Sequence, residues 1–137
     1  MMNKFPYNNG HLLIAPRRHV GDISDLSPAE GLALFATLQR AIRWLREVYS
    51  PHGFNIGMNL GRVAGAGLPD HVHVHLVPRW NGDVSFMTVV GEVKVMSESL
   101  EAGWERIMAA IEKEKLKNLS VNNDNPTADP PRSAAIF

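Results

Sequence analysis

Cysteine is absent from this 137-residue chain, which excludes disulfides and thiolate metal sites. An excess of charge is missing too. The 14 Lys+Arg balance 14 Asp+Glu, so composition gives no sign of the basic surface that captures nucleic acid. No apolar run is long enough to cross a bilayer, and the N-terminus lacks a basic stretch leading into an apolar one. The expectation is a cytoplasmic protein whose partners include neither nucleic acid nor membrane. The glycines from Gly61 to Gly67 precede a predicted strand rather than a helix, and no Gly-Lys-Ser/Thr occurs, so neither a dinucleotide fingerprint nor a P-loop fits. There is no internal repeat, and the length suits a single domain with a real core.

The chemistry is concentrated in Asp70-His71-Val72-His73-Val74-His75-Leu76-Val77-Pro78-Arg79, which holds three of the six histidines. Side chains on a strand change face at every residue, so His71, His73 and His75 share one face while Val72, Val74 and Leu76 point into a core. Imidazole, with an unperturbed pKa of ~6.5, can act near neutrality as nucleophile, proton carrier or cationic cradle for phosphate. Three readings compete. A solvated strand face would more naturally include Thr, Lys or Glu. A zinc site could use imidazoles at alternate strand positions, but no cysteine and no adjacent acidic cluster supports it. Covalent catalysis at phosphorus, with one imidazole attacking and its neighbours positioning, suits the surrounding residues best.

Around the ridge, Asn8-Asn9-Gly10 reads as a turn and the apolar run to Pro16 as a buried strand. His11 begins that strand and by itself would pass for a surface histidine; Arg17, Arg18 and His19 read as a solvated basic loop. Ser27, Pro28 and Glu30 form a helix start with a capping box. Leu32, Phe35, Leu38, Ile42, Leu45 and Tyr49 then trace an apolar stripe to about Ser50-Pro51, with Arg40, Arg43, Arg46 and Glu47 off it and solvated. Residues 53–59 alternate as a strand, and residues 85–95 have β character. Ser97 is placed to cap a second helix with Leu100, Trp104, Ile107, Met108 and Ile111 inward. From Asn118 the composition predicts disorder, giving a domain over residues 1–117 and a tail over 118–137.

His71-Val72-His73-Val74-His75-Leu76-Val77 matches the His-x-His-x-His-x-x pattern of the histidine-triad (HIT) nucleotide hydrolases and transferases. The string from Asn59 to Asp70, continued through Pro78-Arg79-Trp80-Asn81-Gly82-Asp83, resembles the bacterial branch related to diadenosine tetraphosphate phosphorylases. The likeness runs from about Asn3 to Lys115. It implies an α+β fold, an antiparallel sheet with one long helix and a C-terminal helix, in a homodimer.

The same resemblance implies that His73 attacks an α-phosphorus to give a nucleotidyl-histidine, its other ring nitrogen held by a backbone carbonyl. His71, His75 and His11 would position and neutralise phosphate oxygens. Asn3 would contact the ribose, Asn59 the phosphates, and Gly65, Ala66 and Gly67 would lend backbone donors. Arg79 and Trp80 would meet the distal part of a dinucleoside polyphosphate, with Asp83 as the alternative partner of Arg79. The expected reaction is phosphorolysis of diadenosine tetraphosphate to ATP and ADP, with inorganic phosphate as acceptor. No cofactor is required, although a divalent cation can accompany the polyphosphate. Alternatives are a hydrolase releasing AMP and an inactive nucleotide-binding module. Relatives carry a further N-terminal segment that helps form the slot for the base; the expectation here is a start codon assigned at an internal Met1, against a truly shortened relative.

Overall fold

In this computed structural model, residues 1–83, 98–124 and 134–136 are described. Gly10 sits at φ +71, where a Cβ would lie 2.9 Å from the Tyr49 ring, so glycine's missing side chain lets the expected turn close against the core. The turn delivers the chain into β1 (Leu12–Pro16). There follow α1 (Pro28–Tyr49), β2 (Gly53–Gly57), β3 (Val74–Arg79), α2 (Leu100–Asp124) and β4 (Ala134–Ile136), with short 3-10 turns at Ile23–Asp25 and Arg62–Ala64.

The strands make one antiparallel sheet in the order β2-β3-β1-β4. Leu12 lies opposite Leu76 and Ile14 opposite Val74, and all four side chains are buried. Leu13 faces His75 across the same ladder. Strand alternation therefore gives one face to the core and the other to histidine. Residues 1–3 extend β1's outer edge, with Asn3 N–H bonded to the His11 carbonyl at 3.0 Å. The fold is α+β, as expected.

The capping box of α1 is formed: Ser27 Oγ accepts from Glu30 N–H, and the Glu30 carboxylate accepts from Ser27 N–H at 2.8 Å. Arg18, exposed as expected of the solvated cluster, also clamps this box, donating to both Glu30 oxygens at 2.9 and 3.0 Å. The buried face of α1 holds part of the expected stripe, with Leu38 and Leu45 buried and Ile42 and Tyr49 packed against the core, but it is turned away from Leu32 and Phe35. Ala33, Leu34, Thr37, Leu38, Ala41, Trp44 and Leu45 face inward, whereas Leu32 is 65% and Phe35 61% exposed. Small residues at 33, 37 and 41 let the helix approach the sheet closely, and Thr37 satisfies its hydroxyl on the Ala33 carbonyl at 2.8 Å. Arg43 and Arg46 are exposed, but Arg40 lies partly buried over the Trp44 ring.

On α2, Ile107 and Ala110 are buried while Trp104 and Met108 are 40% and 37% exposed. Glu114 ties the two helices, accepting from Trp44 Nε1 at 2.7 Å and from Arg43 at 3.3 Å. The expected β segment at 85–95 and the cap at Ser97 lie outside the described residues. Ser99 serves as a cap, accepting from Ala102 N–H at 3.2 Å. The disorder expected from Asn118 does not begin there: no proline lies between Asn118 and Pro126, and the helix continues to Asp124. Ala134–Ile136 then pairs with β1, Ile136 opposite Ile14. Among the described residues, no helix is long and apolar enough to cross a membrane.

Hydrogen bonds from Arg18 and Ser27 hold the Glu30 carboxyl at about 2, below the unfolded glutamate value. The sign follows: its contribution is complete above the unfolded value and fades as pH falls towards 2. Replacing Ser27 by Ala leaves a first-turn amide uncapped and is expected to cost about 1 kcal/mol in urea unfolding at neutral pH.

Candidate active site

His11 lies one residue before β1 and His73 one residue before β3, so the register that opposes Leu13 and His75 gathers three imidazoles on the sheet face away from the core. His11 Nε2 lies 3.0 Å from His75 Nδ1, and the His75 ring centroid is 5.0 Å from that of His73. His11, which by itself would pass for a surface histidine, is fully buried.

The partners of these rings determine where each proton sits. His11 Nδ1 receives the Tyr7 backbone N–H at 3.0 Å. It also faces Asn3 Nδ2 at 3.4 Å, the Asn3 oxygen being occupied by Phe5 N–H. A nitrogen facing two donors keeps its lone pair, so in neutral His11 the proton is on Nε2 and is donated to His75 Nδ1. His75 in turn carries its proton on Nε2. His73 Nδ1 lies 2.9 Å from the His71 carbonyl; a carbonyl only accepts, so Nδ1 bears the proton and Nε2 keeps the lone pair. His71 Nε2 donates to the Pro16 carbonyl at 2.9 Å by the same logic. Burial, joined by the neighbouring His73, pushes His75 below the ordinary histidine value, which favours its neutral form.

Three contributors were not legible as site residues. Tyr7 is stacked on His11 and on His75. His19 stacks on His71 at 4.5 Å, so the basic cluster divides between a helix clamp and the triad. Gly21 packs on the segment entering the triad: a Cβ there would lie 2.8 Å from the Pro69 carbonyl, beside a 2.7 Å bond from Val72 N–H to the Val20 carbonyl. No motif marks any of them; aromatic stacking and a close backbone approach appear only in three dimensions.

The glycine loop is engaged with itself. Gly65 N–H bonds to the Arg62 carbonyl and Ala66 N–H to the Gly61 carbonyl, while Asn59 Nδ2 holds the Gly65 carbonyl at 3.2 Å. In this conformation Gly65 and Ala66 do not offer free donors, and Asn59 braces the loop. Among the described residues no such bond is seen for the Gly67 amide. Arg79 and Trp80 are not brought to the triad. Arg79 stands six residues along β3 from His73, or ~20 Å at strand rise. It donates to Asp83 at 2.6 Å and to Asn55 at 3.0 Å, and Trp80 packs edge-on to Tyr49. Asp83 also accepts from Trp80 N–H and Asn8. Burial opposes its charge, but these donors hold its carboxyl below the usual range. A metal site needs several converging ligands, and among the described residues no three His, Asp or Glu side chains converge to hold an ion.

Residues 1–82 match the family model described as HIT domain. The chain belongs to the HIT domain family. It is 48% identical over 100 residues to a protein named AP-4-A phosphorylase from Mycobacterium tuberculosis, covering 73% of this chain and 51% of that protein. It is 38% identical over 84 residues to a Schizosaccharomyces pombe bis(5'-nucleosyl)-tetraphosphatase [asymmetrical], covering 61% and 46%. The chain thus spans about half the length of these curated HIT relatives. A crystal structure of a zinc-bound histidine triad family protein from Mycobacterium smegmatis superposes with TM-score 0.67 at 30% identity, covering 85% of this chain and 78% of that one.

The proton assignments are directly measurable. Ring ¹⁵N shifts at pH above the histidine transitions are expected to show His73 as the Nδ1–H tautomer and His11, His75 and His71 as Nε2–H; His73 as Nε2–H would remove its lone pair from the site.

Proposed function

We propose that the chain transfers a nucleotidyl group from a dinucleoside polyphosphate to an acceptor through His73. The observation that carries this reading is the bond from His73 Nδ1 to the His71 carbonyl, which leaves Nε2 as a lone-pair donor beside His75. In the first step the Nε2 lone pair forms a bond to the α-phosphorus as the bridging P–O bond breaks, and the leaving polyphosphate takes that electron pair. In the second, an acceptor oxygen bonds to phosphorus, the N–P bond breaks and the pair returns to Nε2. One hard displacement becomes two easier ones. Donors from His75 and the neighbouring imidazoles would meet charge developing on the phosphate oxygens.

Inorganic phosphate is the acceptor we favour, on the likeness to the mycobacterial phosphorylase; diadenosine tetraphosphate would then give ATP and ADP. The likeness to the fission-yeast tetraphosphatase supports a second reading in which water is the acceptor and AMP appears. Asn3 and Asn59 act in our reading by holding His11 and the glycine loop, and Arg79 and Trp80 take no part in the step. A divalent cation accompanies the polyphosphate as part of the substrate. The active form is taken to be a cytoplasmic homodimer.

Incubation with diadenosine tetraphosphate and phosphate should yield ATP and ADP by chromatography, and His73→Ala should lower the rate by roughly a thousandfold or more. AMP with ATP in the absence of phosphate would establish the hydrolase reading. Absence of product from the folded chain would leave only a nucleotide-binding module.

A further inference from the structure

Tyr7 is 57% exposed, so its ring adds little to the core, yet it lies flat across two imidazoles. It stacks on His11 at 4.9 Å and 28° and on His75 at 5.8 Å and 24°. The same residue's backbone N–H is the 3.0 Å donor to His11 Nδ1. One position thus supplies both the bond that decides which His11 nitrogen is protonated and the plate that covers the His11–His75 pair.

A hydrogen bond between two neutral imidazoles can run in either direction, and water at either ring would compete with it. If His75 takes a second proton, its Nδ1 stops accepting and the bond from His11 is lost. Keeping water off the rings favours the neutral, one-way state. Few other groups can do this. Facing His75 are His11 and Tyr7 from the segment before β1 and His73 from the approach to β3, while its cross-strand neighbours Leu13 and Gly57 carry no charge.

We propose that Tyr7 is a positioning residue: its amide fixes, and its ring seals, a one-way hydrogen bond from His11 to His75, so that His75 presents Nε2–H beside the His73 nucleophile. This rests on the reading of His73 given above, but it concerns a property of the rings that exists without substrate.

The test is an NMR titration of the histidine rings in the full chain, with resonances assigned by single His→Gln substitutions. Tyr7→Phe keeps the plate and should leave the His75 midpoint where it is. Tyr7→Ala should raise that midpoint by roughly half a unit to one unit, a fraction of the shift that full burial produces. Tyr7→Asn, which has a polar side chain unable to exclude water, should move it the same way and serves if the alanine variant does not fold. The acid limb of kcat/KM should rise with the midpoint, because activity is lost as His75 protonates. An unmoved His75 in Tyr7→Ala or Tyr7→Asn overturns the proposal, as does a shift in Tyr7→Phe as large as in those variants. A higher KM with His75 unmoved would instead mark Tyr7 as a stacking surface for a nucleobase. If the unsubstituted chain turns over no dinucleoside polyphosphate, the proposed function fails while the titration still decides the role of Tyr7.

Discussion

A backbone amide can only donate and a carbonyl can only accept, and the geometry of the candidate site depends on that asymmetry at two points. The Tyr7 amide on His11 Nδ1 starts one chain of protons, which runs through His11 Nε2 to His75 Nδ1. The His71 carbonyl on His73 Nδ1 fixes the other, and leaves a lone pair at Nε2. Imidazole tautomers interconvert freely in water, so a histidine nucleophile is useful only when its surroundings choose one form. Here the choice is made mostly by main-chain atoms, whose positions follow from the fold itself.

Those positions hold because slippage of the sheet is too costly. Leu12, Ile14, Val74 and Leu76 are buried together where β1 meets β3, and each contributes roughly 1.5–3 kcal/mol by leaving water. Four such side chains rival the ~5–15 kcal/mol by which domains are stable. Moving either strand by one residue would turn its apolar set outward and its histidines inward. The alternation that builds the core therefore also aligns His11 with His75. Around it, Gly21 permits the close approach that seats the segment before His71, and His19 stacks on the His71 ring.

Much of this was legible in the sequence because it rests on strong local rules. The His-Val-His-Val-His-Leu alternation announces the burial of Val72, Val74 and Leu76, although β3 itself begins only at Val74, and Ser27, Pro28 and Glu30 announce a helix start. The inward face of α1 was harder. Leu32, Leu38 and Leu45 draw one plausible stripe, Leu34, Trp44 and Leu45 another, and small residues at 33, 37 and 41 decide between them only once the sheet is in place. Arg79 could be read toward substrate or toward Asp83, and the i,i+4 ion pair is what forms. Gly65 and Ala66 suggested free amides, but a short 3-10 turn engages them. Tyr7 on His75 and His19 on His71 are ring-on-ring contacts between segments distant in sequence, and no spacing rule encodes those.

His73 Nε2 is the atom proposed to take the nucleotidyl group, and trapping tests that proposal most directly. The full chain would be mixed with diadenosine tetraphosphate without inorganic phosphate, quenched in alkali and measured by intact mass, with the site located by peptide fragmentation. The expected result is an added mass of one nucleotidyl group on His73 and none in His73→Ala. A chain that consumes substrate through an adduct on another residue, or whose His73→Ala variant carries the same adduct, would contradict it.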